Sequence, residues 1–297
     1  MLSALQWFRI RGWSCSWLPL QYAPDVSASL SLSVAIITLN EEANLPRCLE
    51  SVRELASEIV VIDSGSNDRT GEVARRFGAS FRSEPWQGHV AQKNLALRGC
   101  TQPWVLCLDA DEAVSPELAD AIRAVFPAQS PSPDGFWINR RTFYLGQWVR
   151  HAWNPEWRLR LVRREKARWA GRDPHDHLEV AGVTAKLTGD LLHYSYANLQ
   201  DHFERTIRHA RTSADSLERA GRRCRWYHLV ISPWLALGKR LILKQGFRDG
   251  RRGWIIAYTT FFSVLAKYAF LFEERAAGRR GANTSSSPAT PAESHDS

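Results

Sequence analysis

Residues Val105 to Ser115 read VLCLDADEAVS, an apolar run that ends in Asp109, Asp111 and Glu112. Carboxylates gathered at the end of a buried strand repel one another and lose hydration, so such a cluster demands a cation. In an extended chain, side chains two residues apart share a face, which sets Asp109 beside Asp111. Oxygen ligands of this kind, completed by substrate phosphates, suit Mg²⁺ or Mn²⁺. Two further polar clusters follow apolar runs in the same way. EIVVID opens into DSGSNDRT, where Gly65 permits a tight turn and Ser64 and Ser66 add hydroxyls to Asp63. A carboxylate so placed can accept from a base imide or a ribose hydroxyl. SVAIIT runs into Thr38, Asn40, Glu41 and Glu42. Lys93 and Asn94 follow Gly88 and His89, where a cation can meet a diphosphate held at the same edge. Neither GxxxxGK[ST] nor GxGxxG occurs, so a nucleotide has to be held by carboxylates and a metal.

The elements that must position these residues alternate. Strands are expected at Ser33–Thr38, Glu58–Asp63, Ala79–Arg82 and Trp104–Asp111, with helices at Asn44–Leu55, Arg69–Phe77, Val90–Arg98 and Pro116–Phe126. Ser115 is the expected N-cap of the last helix, with Pro116 at its first position, and Asp68 the expected N-cap of the second. The alternation predicts an α/β fold, a mostly parallel sheet with helices on both faces. Ligands of such sheets bind beyond the carboxyl ends of the strands, where all three polar clusters lie. After Pro127 the alternation stops. GFWINRRTFY, WRLRLVRR and LTGDLLHYSY read as strands, and the chain turns helical and basic from Leu199.

The chain has 297 residues, 44% hydrophobic and 24% charged, which is a globular composition. Its net charge of +8 is concentrated: residues 201–281 hold seventeen Lys/Arg against seven Asp/Glu, a net of +10. That asymmetry predicts a local anionic partner. Five cysteines without CxxC spacing read as reduced thiols of a cytoplasmic protein, and Cys107 as core. Residues 1–32 read as a flexible extension, because the apolar run after Arg9 and Arg11 is too brief and interrupted for a signal peptide. Residues 33–198 are the expected catalytic domain, split at 127, residues 199–277 a helical membrane-associating region, and 278–297 a disordered tail. Trp254–Phe272 reaches transmembrane length but carries Tyr258, Lys267 and several hydroxyls. With Arg248, Arg251 and Arg252 before it, the segment is expected to lie on the inner-membrane surface against anionic lipid, with a core helix and a full span as alternatives.

AIITLNEEANLPRCLESV, VVIDSGSNDRTGEVA, QKNLAL and VLCLDADE, in this order and spacing, resemble the glycosyltransferases of family 2, which have the GT-A fold. GFWINRRTFYLGQWVRHAWNPEWRLRLVRR, GRDPHDHLEV and GDLLHYSY are similar to the bacterial subgroup that builds the lipopolysaccharide inner core. The resemblance implies an inverting, metal-dependent transferase moving a sugar, glucose by preference, from a UDP-sugar to a core heptose or similar lipid-linked saccharide. It implies that Thr38, Asn40 and Glu42 line the uridine pocket with Ser64 beside them, that Asp63 binds the uracil, and that Lys93 approaches the diphosphate. Asp109 would contact ribose and metal, Asp111 would hold the metal, and His193 is a further candidate ligand. An inverting enzyme needs a base on the acceptor side. Asp176, between His175 and His177 in a polar loop, is the first candidate, and Glu156 the second. Glu112 is read as a first-turn carboxylate of the following helix. A nucleotidyltransferase would carry a Gly-rich basic loop after the first strand, where this chain has acids. A nucleic-acid-binding module is the other alternative, but it gives the acidic strand end no purpose, so no nucleic acid is expected.

Overall fold

The computed structural model describes residues 30–126, 133–172 and 175–284. The N-terminal extension before residue 30, with Cys15, and the tail after Thr284 lie outside the described residues. The chain runs β1 (Leu30–Thr38), α1 (Leu45–Val52), β2 (Ala56–Asp63), α2 (Thr70–Arg76), β3 (Ser80–Ser83), α3 (His89–Gly99), β4 (Trp104–Asp109), β5 (Glu112–Val114) and α4 (Pro116–Val125). It continues through β6 (Gly135–Tyr144), β7 (Gln147–Trp148), β8 (Trp157–Arg163), β9 (Ala167–Arg172), β10 (His175–Val180) and β11 (Thr184–His193). Helices α5 (Leu199–Arg219), α6 (Trp226–Val230), α7 (Ser232–Gly238) and α8 (Arg251–Thr284) complete it.

One sheet has the order β3-β2-β1-β4-β8-β6-β11-β5, with β7 beside β6; β9 and β10 form a separate hairpin. The first four strands are parallel, β8 runs antiparallel to both neighbours, and β11 is parallel to β6. The predicted parallel half is therefore joined to a mixed half. Strand order reverses at β1, so a crevice opens between the carboxyl ends of β1 and β4.

Side-chain alternation explains how the layers form. On β4, Leu106 and Leu108 join a core with Leu45, Cys48 and Leu49 of α1 and Leu118 and Ile122 of α4. Val105 and Cys107 face the other way, into a core with Ala96 and Leu97 of α3 and Trp169 and Leu178 of the hairpin. The same period of two carries Asp109 to the α3 face. Cys107 is buried core, and burial pushes its thiol up to about 12. Helix α4 starts where expected, with the Ser115 hydroxyl accepting the Leu118 N–H at 3.2 Å and Pro116 in the first turn.

Helix α5 packs beside α8 and buries His202, Thr206, Ala210 and Ala214, a stripe of period four whose His202 meets Tyr144, Trp153 and Tyr196. The stretch Arg251–Glu273 is long and apolar enough to cross a membrane by length and composition. Its first turns are anchored on the sheet domain instead. Ile256 packs with Tyr144, Val149 and Ala152, while Arg252 donates to the Leu145 carbonyl. The helix continues to Thr284, past Gly278, where the disordered tail was expected to begin.

Candidate active site

The crevice at the β1/β4 edge holds a cavity of about 540 Å³ that draws on all three predicted clusters. Thr38 and Glu41 line it from the end of β1, Ser64 from β2, and Asp109 and Asp111 from β4. Lys93 of α3, Asp176 of β10 and His193 of β11 close it. A second cavity of about 270 Å³ shares Lys93, Asp109 and Asp176 and is walled by Trp137, Trp157 and Trp169.

Lys93 links the two spaces. Its ammonium lies 2.9 Å from Asp109 Oδ1 and 2.9 Å from Asp176 Oδ2. Burial alone would push the lysine down, but the two carboxylates outweigh both burial and the neighbouring Arg160, and hold it charged. Asp109 is also fixed by Arg160, whose Nη2 is 2.7 Å from Asp109 Oδ2 and 2.7 Å from Glu112 Oε1. Burial raises the Asp109 carboxyl, and the cations Arg160 and Lys93 reverse that and hold it well below the usual range. Arg160 reaches this point through a bulge: Phe136 pairs with Leu161 and Trp137 with Leu159, leaving Arg160 as the extra residue of β8. Among the described residues its buried Nε has no hydrogen-bond partner.

Several expectations are corrected by these contacts. Glu112 is no first-turn carboxylate. It opens β5, is buried, accepts the Asp109 N–H at 2.9 Å and pairs with Arg160 and Arg140, so it shapes the acidic turn from within. Asp176 stands on a strand, opposite Gly171, and not in a polar loop. Its partner is Lys93, while His177 turns to Glu179 at 3.2 Å. Glu156 lines a different cavity, with Arg140, His193 and Ser195. Burial raises its carboxyl, but hydrogen bonds and charge from Arg140 and Arg158 pull it down to about 2, which makes it a poor proton acceptor.

At the ends of β1 and β2, the residues expected to meet a nucleotide bond within the protein. Asp63 is buried, and both its oxygens are engaged: Oδ1 by the hydroxyls of Thr38 at 2.8 Å and Ser66 at 2.5 Å, Oδ2 by the N–H groups of Gly65 at 2.9 Å and Ser66 at 2.8 Å. It thus ties the ends of β1 and β2 together beneath the cavity. Asn40 and Glu42 do not line the cavity and instead brace the two loops: Asn40 Oδ1 accepts the Asn67 N–H, and Glu42 Oε2 accepts the Arg69 N–H, each at 2.9 Å. Asp68 completes this brace by accepting from Thr70 and from the Glu42 N–H; the N-cap position of α2 is Arg69, without a side-chain cap, so Asp68 is not the cap expected. Of the two glutamates after β1, Glu41 lines the cavity, and burial raises its carboxyl. Sequence reasoning also missed Trp86, whose exposed ring stands edge-on to His89 at 4.7 Å, and His209 of α5. Gln92 was missed as well. It is buried and spans from the Ser64 hydroxyl to the Glu84 and Pro85 carbonyls.

Asp111 and His193 come together as candidate metal holders, Oδ2 to Nε2, at 3.3 Å. Asp109 does not join them, being held by two cations. Among the described residues no group of three or more His, Cys, Asp or Glu side chains is arranged to hold a metal. An acid and an imidazole that face a cavity nevertheless fit a cation whose remaining ligands are water and substrate phosphates.

The glycosyl transferase family 2 model matches residues 33–184, from within β1 to the first residue of β11. The chain belongs to glycosyltransferase family 2. It is 34% identical over 258 residues to the lipopolysaccharide core biosynthesis glycosyltransferase LpsC of Rhizobium meliloti, covering 82% of this chain and 90% of the relative. A glycosyltransferase of Rickettsia typhi, RT0209, is 27% identical over 253 residues, with 82% and 87% covered. Among solved structures, the mannosyltransferase PcManGT from Pyrobaculum calidifontis, in complex with GDP-Man and Mn²⁺, aligns with a TM-score of 0.43 at 19% identity, covering 90% of this chain and 84% of that one. TarS 1–349 of S. aureus, in complex with UDP-GlcNAc, aligns with a TM-score of 0.41 at 15% identity, covering 84% and 92%. Family membership decides against the nucleotidyltransferase and the non-catalytic alternatives.

Proposed function

We propose that this enzyme transfers a hexose, glucose by preference, from a UDP-sugar to a heptose of a lipopolysaccharide core or a similar lipid-linked saccharide, with inversion. One observation carries the reading: Lys93 bridges Asp109 of the acidic strand end and Asp176 at the boundary between two cavities. The larger cavity takes the nucleotide-sugar, with Trp86 offering a ring for the base and Ser64 a hydroxyl. The tryptophan-walled space takes the acceptor. The likeness to the Rhizobium meliloti core-biosynthesis enzyme supports the acceptor class.

Asp111 and His193 would hold the Mg²⁺ or Mn²⁺. A cation bound there supplies positive charge to the departing diphosphate. Lys93 adds to that charge: as its ammonium turns toward the diphosphate, it releases Asp176. The freed carboxylate takes the proton of the acceptor hydroxyl while that oxygen forms its bond to the anomeric carbon. The bond from that carbon to the diphosphate breaks on the opposite side, and UDP leaves with the electron pair. The sequence needs no enzyme nucleophile. The catalytic domain of residues 33–198 works on the cytoplasmic face of the inner membrane, held there by the helical region that follows.

The test is a donor panel. UDP-glucose, UDP-N-acetylglucosamine and GDP-mannose are each incubated with Mn²⁺ and a heptose-terminated core acceptor. Glucose transfer from UDP-glucose is expected, and transfer from GDP-mannose alone contradicts the donor assignment.

A further inference from the structure

A recess of about 820 Å³ opens between the β6–β7 turn and the start of α8, away from the two catalytic cavities. Four arginines line it: Arg150, Arg248, Arg251 and Arg252. The carboxylate beside them, Asp249, is consumed internally. It accepts the N–H groups of Arg150 at 3.0 Å, His151 at 3.0 Å and Ala152 at 2.7 Å, and its Oδ1 meets His151 Nδ1 at 3.0 Å. Arg252 donates to the Leu145 carbonyl and Gln147 Oε1, and Arg248 to Gln245 Oε1, all neutral acceptors. Among the described residues, none of the four guanidinium groups forms an ion pair with a carboxylate. Four guanidinium groups against the single carboxylate of Asp249 leave the recess positive, and an anion relieves the repulsion among them.

The scaffold under these arginines is rigid. A Cβ at Gly253 would lie 1.7 Å from the Gly246 carbonyl oxygen, so the two segments touch as only glycine allows. Arg240 ties the same corner to the Ala152 carbonyl at 2.6 Å. The recess is therefore a formed feature of the fold and not a chance meeting of long side chains.

What surrounds it identifies the ligand class. Leu243 is 76% exposed, Phe247 53% and Trp254 44%, with Leu235 and Ile242 also bare on the preceding turns. These large apolar side chains are interleaved in sequence with the recess arginines and with Lys239 and Lys244. A nucleic acid would meet the charges and leave the apolar groups in water, whereas a bilayer surface accommodates both. We propose that the recess binds the phosphate of an anionic phospholipid headgroup while Leu243, Phe247 and Trp254 enter the interface beside it. The proposal rests on the membrane placement given above and adds a specific headgroup site to it. It orients the enzyme, because the recess fixes which face of the helical region meets the lipid.

The test is co-sedimentation of the full chain with vesicles of phosphatidylcholine alone and of phosphatidylcholine mixed with phosphatidylglycerol. Transfer to a delipidated core oligosaccharide serves as the parallel readout of the catalytic site. The wild type is expected to prefer the mixed vesicles. Arg150→Ala with Arg251→Ala should erase most of that preference, a loss of about 25-fold at roughly 5-fold per arginine, with soluble transfer unchanged. Leu243→Ser with Trp254→Ser should weaken binding to both vesicle types. An arginine variant that keeps the full preference overturns the headgroup site while leaving membrane placement intact. Wild type that binds neither vesicle overturns both. Equal saturation of the recess by inorganic phosphate, or arginine-dependent binding of duplex DNA, without vesicle preference, also overturns the assignment. Loss of soluble transfer in the wild type would count against the catalytic reading alone.

Discussion

Lys93 is the residue on which the account turns, and its role is testable on both sides. Lys93→Met leaves Asp109 and Asp176 with no ammonium between them and removes a cation from the diphosphate. Donor affinity should fall about 10- to 100-fold, the equivalent of losing about 1.5–3 kcal/mol from a charge-assisted hydrogen bond, as read by titration calorimetry. Unchanged affinity would remove Lys93 from the donor site. Asp176→Asn keeps the size of the side chain but not its basicity, so transfer should fall by about 10²–10⁴-fold while the donor still binds. Glu156→Gln, by contrast, should act on stability. The Glu156 carboxyl is held at about 2 against an ordinary 4.5, so the stability it contributes is complete above pH 4.5 and fades as pH falls toward 2. The gap in Tm between wild type and Glu156→Gln should therefore close across that window. A gap of constant width would mean the ion pairs with Arg140 and Arg158 do not contribute to stability.

At the scale of elements, the strands that place the site were legible because their periods are simple. Short apolar runs led into polar clusters, and the ends of β1 and β2 were read from that alone, with β4 ending at Asp109, two residues before the expected Asp111. The partner of the acids was not legible. Arg160 belongs to an alternating stretch whose arginines look solvent-facing, and the bulge that turns it inward depends on the pairing of β6 with β8. The β9–β10 hairpin was also missed, since its strands are short, polar and rich in histidine and arginine. That omission is why Asp176 looked like a loop residue. Replacing Arg160 with Met leaves buried Glu112 and part-buried Asp109 without their shared cation. The cost should be about 3–5 kcal/mol by urea denaturation, and a cost under about 1 kcal/mol would mean that water or Lys93 compensates. Ser115→Ala, which removes the α4 cap and the acceptor of the Asp190 N–H, should cost about 1–2 kcal/mol in the same assay.

For the whole molecule, the charge asymmetry and the apolar C-terminal helix were visible in composition. How they are used depends on contacts between regions distant in sequence. Tyr144 on β6 donates or accepts at His202 Nδ1 of α5 at 2.7 Å, and Asp249 caps the backbone at Arg150–Ala152. These contacts lock the helical region onto the catalytic sheet, so an enzyme held at a lipid surface presents its two cavities in one orientation. The central claim is that the sugar moves in one direct displacement, from a donor at the β1/β4 edge to an acceptor activated by Asp176. The anomeric configuration of the product formed from UDP-α-glucose, read by proton NMR of the purified glycoside, tests it most directly. A β-linked glucoside is the predicted product, and an α-linked one would contradict the account.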